Sequence, residues 1–223
     1  MDLSEYKRIL GASSLGEGFV NDTIDIINAN FHNAPSYRKI KVDGVEEDCT
    51  IKHTRYSNKL EIYLRPLKPV NKGMYVEIDD NTYIVMDCVQ KEVYPKAKIT
   101  LCNNVLKWKD ESDTIYEYKC IIEGSTVELD ESVGMFNNRF VISSDSELTV
   151  IVPYNEDTRK IDIGQRFIFD ESVYSVNSVD RLSEVVNEKG LIKFTIKATG
   201  KSDTDDIDEN IADDTGNSGW GGW

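Results

Sequence analysis

GMYVEIDDNTYIVMD, Gly73 to Asp87, and GQRFIFDESVYSVNS, Gly164 to Ser178, decide how this chain folds. Superposed without a gap, they share the opening glycine, an acidic pair, a tyrosine and a valine. Apolar residues alternate on either side of a short acidic turn, which is the period of a half-buried strand. Each stretch is therefore read as a β-hairpin. The second follows the first by 91 residues, Gly73 to Gly164, and this spacing points to a duplicated β-unit.

The text around the hairpins repeats in the same order. Leu60, Ile62 and Leu64 alternate in KLEIYLRP, and LTVIVP, Leu148 to Pro153, answers them. KAKITLCN (Lys96–Asn103), IYEYKCIIE (Ile115–Glu123) and LIKFTIKAT (Leu191–Thr199) read as further strands, with Asn, Asp, Gly and Pro between runs. A small antiparallel sheet left open exposes unpaired edges, so each unit is expected to curl into a barrel of about five or six strands. The expected class is mainly β: two tandem small β-barrels of SH3/OB-like size, an N-terminal helix and an acidic C-terminal arm. The divisions are drawn at residues 1–36 (helical segment), 37–125 (first barrel), 126–200 (second barrel) and 201–223 (arm).

LGEGFVNDTIDIINANFHNAPSY carries the helical pattern. Phe19, Ile24, Ile27 and Phe31 recur on one stripe, flanked by Val20 and Ile26, and predict a helix over Glu17–Phe31. Asn33-Ala34-Pro35-Ser36 stops it, because proline has no amide donor and forces its predecessor out of the helical region. A strand over Tyr37–Val42 and a turn at Asp43-Gly44 follow.

The arm breaks with everything before it. Asp203 to Asp214 holds seven acidic residues, and Gly, Ser and Trp then take over, ending in Trp220 and Trp223, two of the three tryptophans. Such a segment buries too little surface to fold alone, whereas tryptophan is enriched where one protein grips another. The helix residues Phe19, Ile24, Ile27 and Phe31 and the arm residues Ile207, Ile211, Trp220 and Trp223 are the predicted partner-binding set.

Composition narrows the function. The net charge is −14 and the sequence pI about 4.6, which opposes a nucleic-acid reader with a basic face. It suits a conduit whose carboxylates repel phosphate and let DNA pass without specific binding. No apolar run approaches the roughly 20 residues a membrane helix needs, and MDLSEYKRIL has an acid where a secretory signal has base, so a protein kept in the cytoplasm is expected. Cys49, Cys88, Cys102 and Cys120 are far apart; Cys49 and His53 are the nearest pair of zinc-type ligands and nothing completes their set. Buried free thiols are expected.

A search for catalysis is thin. His32 and His53 are the two histidines, and no nucleophile elbow, P-loop or dinucleotide fingerprint is present. Asp110 or Asp113 with Glu117 and Lys119 loosely has the form of a metal nuclease, a form that alternating charges on any exposed strand also generate. Asp203 and Asp205 begin like a calcium loop, but Ile207 stands where an oxygen ligand belongs. No catalytic residue, metal or cofactor is expected.

Other phrases carry a resemblance. RPLKPVNKGMYVEIDDNTYIVMD, a Pro-rich connection before the Gly-led hairpin, resembles the head-to-tail joining proteins of tailed bacteriophages, small β-barrel stoppers below the portal. NAPSYRKIKVDG, YPKAKITLCNNVLKWKD, YKCIIEG and VPYNEDTRKIDIGQRFIFD extend the likeness, over most of residues 17 to 200, to structural proteins of phages and prophages of Gram-positive bacteria. The Trp-ended tail departs from that group, which ends near the Ile-Ala-Asp seen here at Ile211–Asp213. The resemblance implies a non-enzymatic virion protein, a head–tail connector, stopper or collar subunit, assembled in the host cytoplasm. It also implies a homo-oligomeric ring whose neighbours are portal, adaptor or tail proteins, with no membrane partner. A tail-tube, tail-tip or baseplate piece, or a host-surface binding module, stands as the alternative.

Overall fold

Alternation of apolar and polar side chains makes thirteen strands in the computed structural model, which describes residues 14–90, 93–110, 112–124 and 147–213. The chain divides into two units, Met1–Leu101 and Cys102–Trp223.

Among the described residues, the first element of the first unit is α1, Leu15–Asn30. Ser14 caps it by accepting a hydrogen bond from the Glu17 amide at 3.2 Å, satisfying one of the free N–H groups at a helix start. A single 3-10 turn, Phe31–Asn33, ends the helical stretch. Ala34 is already extended there, as its position before Pro35 requires.

Six strands follow: β1 (Tyr37–Val42), β2 (Val45–His53), β3 (Lys59–Leu64), β4 (Tyr75–Ile78), β5 (Asn81–Val89) and β6 (Lys96–Leu101). They close into a barrel in the order β1-β2-β3-β6-β5-β4, with β4 returning to β1 through Lys41↔Glu77 and Val42↔Val76. Asp43 fastens this closure: its amide donates to the Tyr75 carbonyl, and its carboxylate accepts from the Tyr75 amide. Ile62, Leu64, Val76, Val85 and Ile99 fill the interior.

The second unit repeats the plan with β7 (Asn104–Lys109), β8 (Ile115–Gly124), β9 (Glu147–Pro153), β10 (Arg166–Phe169), β11 (Ser172–Asp180), a short β12 (Val185–Val186) and β13 (Lys189–Ala198). Its sheet runs β7-β8-β9-β13-β11-β10, the order of the first barrel strand for strand, with β12 as an extra pair on β13. The likeness reaches the backbone. Gly73 and Gly164 both have positive φ, +82° and +89°, and each donates to the valine twelve residues on, Val85 or Val176. Each hairpin also breaks register at the same place, between Val85 and Asp87 and between Val176 and Ser178.

The interiors differ in bulk. Where the first hairpin buries Val76 and Ile78, the second buries Phe167 and Phe169. Trp108 on β7 stacks on Tyr116 and Tyr118, with ring centroids 5.2 and 5.6 Å away, and meets Phe167 edge-on at 6.3 Å. These rings join β7 to β10, where the first barrel has a ladder. The second barrel is thus nearly closed, by aromatic packing.

The two-barrel, mainly β reading with one N-terminal helix is what the structure has, but the boundary between the barrels moves. Sequence reading ran the first barrel to 125 and began the second at 126. The structure divides the chain after Leu101, because β7 and β8 belong to the second sheet: Ile121 pairs with Ile151, and Gly124 with Leu148. Residues 125–146 thus connect neighbouring strands of one sheet, β8 and β9. The strands β2 and β7 and the short β12 went unread. In β2 only Cys49 is fully buried, and its outer side chains are held by cross-strand ion pairs rather than apolar contact.

Candidate interaction surfaces

The helix meets its barrel through one arginine. Arg65, just past β3, donates from Nε to Asp48 Oδ2 at 2.7 Å and from Nη1 to the Asn28 carbonyl at 3.2 Å. Its Nη2 lies 2.7 Å from His32 Nε2, and its guanidinium sits 4.9 Å from the Phe31 ring centre. An arginine only donates, so the His32 nitrogen facing it carries the lone pair and Nδ1 the proton. Asp48 also accepts from the Tyr37 hydroxyl at 2.7 Å. Burial pushes the Asp48 carboxyl up, but the hydrogen bonds from Tyr37 and Arg65 outweigh it and hold its pKa below the usual range.

The predicted binding stripe on α1 is thereby split. Phe31 is only 7% exposed and is an anchor to the chain's own barrel, which corrects its assignment to a partner. Ile24 and Ile27 are half-buried. Phe19 and Ile26, each 64% exposed, remain on the solvent side with Val20. Toward the end of α1 opens a cleft of about 380 Å³, lined by Ile27, Asn30, Phe31, Ala34, Thr50, Tyr63 and Tyr94. Tyr94 stands edge-on to Tyr63, with centroids 5.9 Å apart.

The arm is the larger correction. Read as unfolded by itself, its first part folds back on the second barrel as a strap. Ile168 and Val173 face outward from the hairpin, and Ile207 and Ala212 cover them. The matching positions of the first hairpin are Glu77 and Thr82, which need no cover. Asp206 and Ile211 exchange two backbone hydrogen bonds of 2.9 Å around a tight loop. Ile211 is half-buried. Ile207, and Ile211 within the same loop, therefore act inside the chain, correcting their assignment to a partner. Trp220 and Trp223 lie outside the described residues.

Arg166 clasps this strap. It reaches both oxygens of Asp205, at 2.9 and 2.7 Å, and donates to the Gly200 and Asp213 carbonyls, each at 2.9 Å. The Asp205 side chain has 0% exposure and also accepts from the Ser202 and Asp213 amides, at 2.6 and 3.0 Å. Burial pushes its pKa up, but the donors win and the carboxyl stays below its usual value. Sequence reading missed both Arg65 and Arg166. Arg166 had a signal: it replaces Tyr75 of the first hairpin, upstream of an Asp-rich tail.

The residues singled out for metal chemistry are engaged locally. Asp110 accepts from the Ser112 and Thr114 amides and the Tyr116 hydroxyl, Asp113 pairs with Lys109 at 2.9 Å, and Glu117 lies 3.6 Å from Lys107. Among the described residues no group of three or more His, Cys, Asp or Glu side chains is placed to hold a metal ion. His53 ends β2 on the exposed side, whereas Cys49 is buried in the core. Burial pushes the thiols of Cys49, Cys102 and Cys120 up to about 12. All four cysteines are free. No helix among the described residues is long and apolar enough to cross a membrane.

A duplicated barrel with a helix latched to the first copy and a strap on the second defines a two-domain β protein. Residues 13–101 match the family model of the YomX N-terminal domain, and residues 104–197 that of the YomX C-terminal domain. The chain belongs to this two-domain family, and because YomX is a gene product of the Bacillus prophage SPbeta, it is a protein of phage or prophage type. The two matched spans fall on the two barrels. No curated protein and no solved structure matches the chain significantly.

Proposed function

We propose that this chain is a non-enzymatic structural protein of a phage particle, a head–tail connector subunit of stopper or collar type that assembles in a ring. The observation that carries the reading is the duplicated barrel of a phage-type family, whose polar side chains are used to hold turns, strands and strap. The two barrels carry different surfaces, a helix on the first and a strap on the second. Unlike surfaces on copies of one chain form heterologous side-to-side contacts, which close into a ring when the rotation fits. Its neighbours are portal, adaptor or tail proteins, and its net charge of −14 lets DNA pass without being gripped.

Mass spectrometry of purified particles, followed by density reconstruction of the neck, tests this. The expected result is the chain present at ring stoichiometry between portal and tail. Its absence from intact particles, while it is abundant in the lysate, refutes the reading.

A further inference from the structure

Six cations of the first barrel, on β1, β2, β6 and the connection after β3, lie 2.6–3.9 Å from a carboxylate. Arg55 and Lys59, at the turn from β2 to β3, have no such partner among the described residues. We infer that this turn docks on the carboxylate-bearing surface of a second copy, with Arg55 and Lys59 pairing acids there and Tyr56 packed beside them. This rests on the ring reading above.

The turn is built to present these side chains. KHTRYSNKL, Lys52 to Leu60, holds four basic groups and no acid. Every residue from Arg55 to Lys59 is exposed, and Tyr56 keeps 56% of its surface in solvent. The Thr54 hydroxyl accepts from the Tyr56 amide at 3.2 Å and donates to the Lys59 carbonyl at 2.6 Å. The Lys59 amide closes the turn on the Tyr56 carbonyl at 3.2 Å, and the Leu101 amide ties the Asn58 carbonyl to β6 at 2.9 Å. The Lys59 ammonium lies 5.5 Å from the centre of the Tyr56 ring, which sets cation and ring side by side. This backbone is ordered before a partner arrives, which lowers the entropic cost of docking.

Charge selects the partner. The chain has 40 acidic residues against 26 lysines and arginines, so copies repel one another except where one side is locally basic. Arginine and tyrosine are residues in which interface energy concentrates, and the guanidinium fork matches a carboxylate. Nucleic acid is the poorer fit, because its affinity grows with the number of phosphates neutralised and a net charge of −14 opposes it. A basic turn on one copy and an acidic surface on the next are unlike surfaces. Contact between them runs head to tail, the geometry a ring needs.

Full-length wild type and R55E/K59E test it by sedimentation across a concentration series. Wild type is expected to self-associate, less strongly as salt rises from about 0.05 to about 0.5 M. R55E/K59E is expected to do so at least roughly tenfold more weakly, the loss of one interface hot spot. Where circular dichroism shows R55E/K59E misfolded, Y56A, which keeps the charges and removes the ring, takes its place. Carbodiimide coupling of an equal mixture of unlabelled and isotope-labelled protein is expected to join Lys59 to an acid of the other copy. Wild-type self-association by folded R55E/K59E, Lys59 links confined to single copies, turn-dependent binding of a DNA duplex without self-association, or a wild type that stays monomeric throughout overturns the inference. Occupancy in purified particles separates the two readings. R55E/K59E at normal occupancy sinks the docking and leaves the connector reading intact, whereas wild type absent from particles sinks the connector reading itself.

Discussion

Replacing Arg166 by alanine removes four hydrogen bonds at once and leaves the fully buried Asp205 carboxylate with the Ser202 and Asp213 amides alone. Taking one partner from a buried ion pair costs about 3–5 kcal/mol, because the other charge stays out of water. The two amides offset part of this, so the expected loss is about 3 kcal/mol. For a unit of this size that lowers the melting temperature by roughly 12 °C. The loss should first appear in the strap. Hydrogen exchange at the Ser202 and Asp213 amides is expected to accelerate roughly 100-fold, the equivalent of 3 kcal/mol. R166K keeps the charge but not the fork, and should fall between wild type and R166A. The pH dependence has a definite sign. The Asp205 pKa is lowered by folding, so its contribution is complete above the unfolded value of about 4 and lost as pH falls through the lower folded value. Amide exchange unchanged within about threefold in R166A, with a melting shift under about 2 °C, would show that Ile207 and Ala212 hold the strap and the arginine is incidental.

Two further outcomes follow from the first barrel and the cysteines. R65A removes the contacts to Asp48, Asn28, His32 and Phe31 and is expected to cost about 2 kcal/mol, with faster amide exchange across α1 while the strands keep their protection; equal acceleration in α1 and the barrel would refute the latch. With their thiols pushed up to about 12, Cys49, Cys102 and Cys120 should react with a disulfide reagent at pH 8 only after urea unfolds the chain; fast native labelling of any of the three would contradict the burial described.

What the sequence determined by itself was the periodic part. Alternation is a local property of a strand, so the repeated hairpin, with its Gly73/Gly164 start and its acidic turn, was legible before any coordinates, as was the stripe on α1. What tertiary structure decided was who stands next to whom. Strand β8 belongs with β9 because their backbones pair across a long connection that carries no pattern of its own. Phe31 is an anchor because Arg65, thirty-four positions away, lies over its ring. The arm folds because Ile168 and Val173 happen to face outward where the first hairpin has Glu77 and Thr82. Composition rightly says that an acidic segment cannot bury enough of its own surface, yet it is silent about apolar surface and a half-buried guanidinium supplied from elsewhere in the chain.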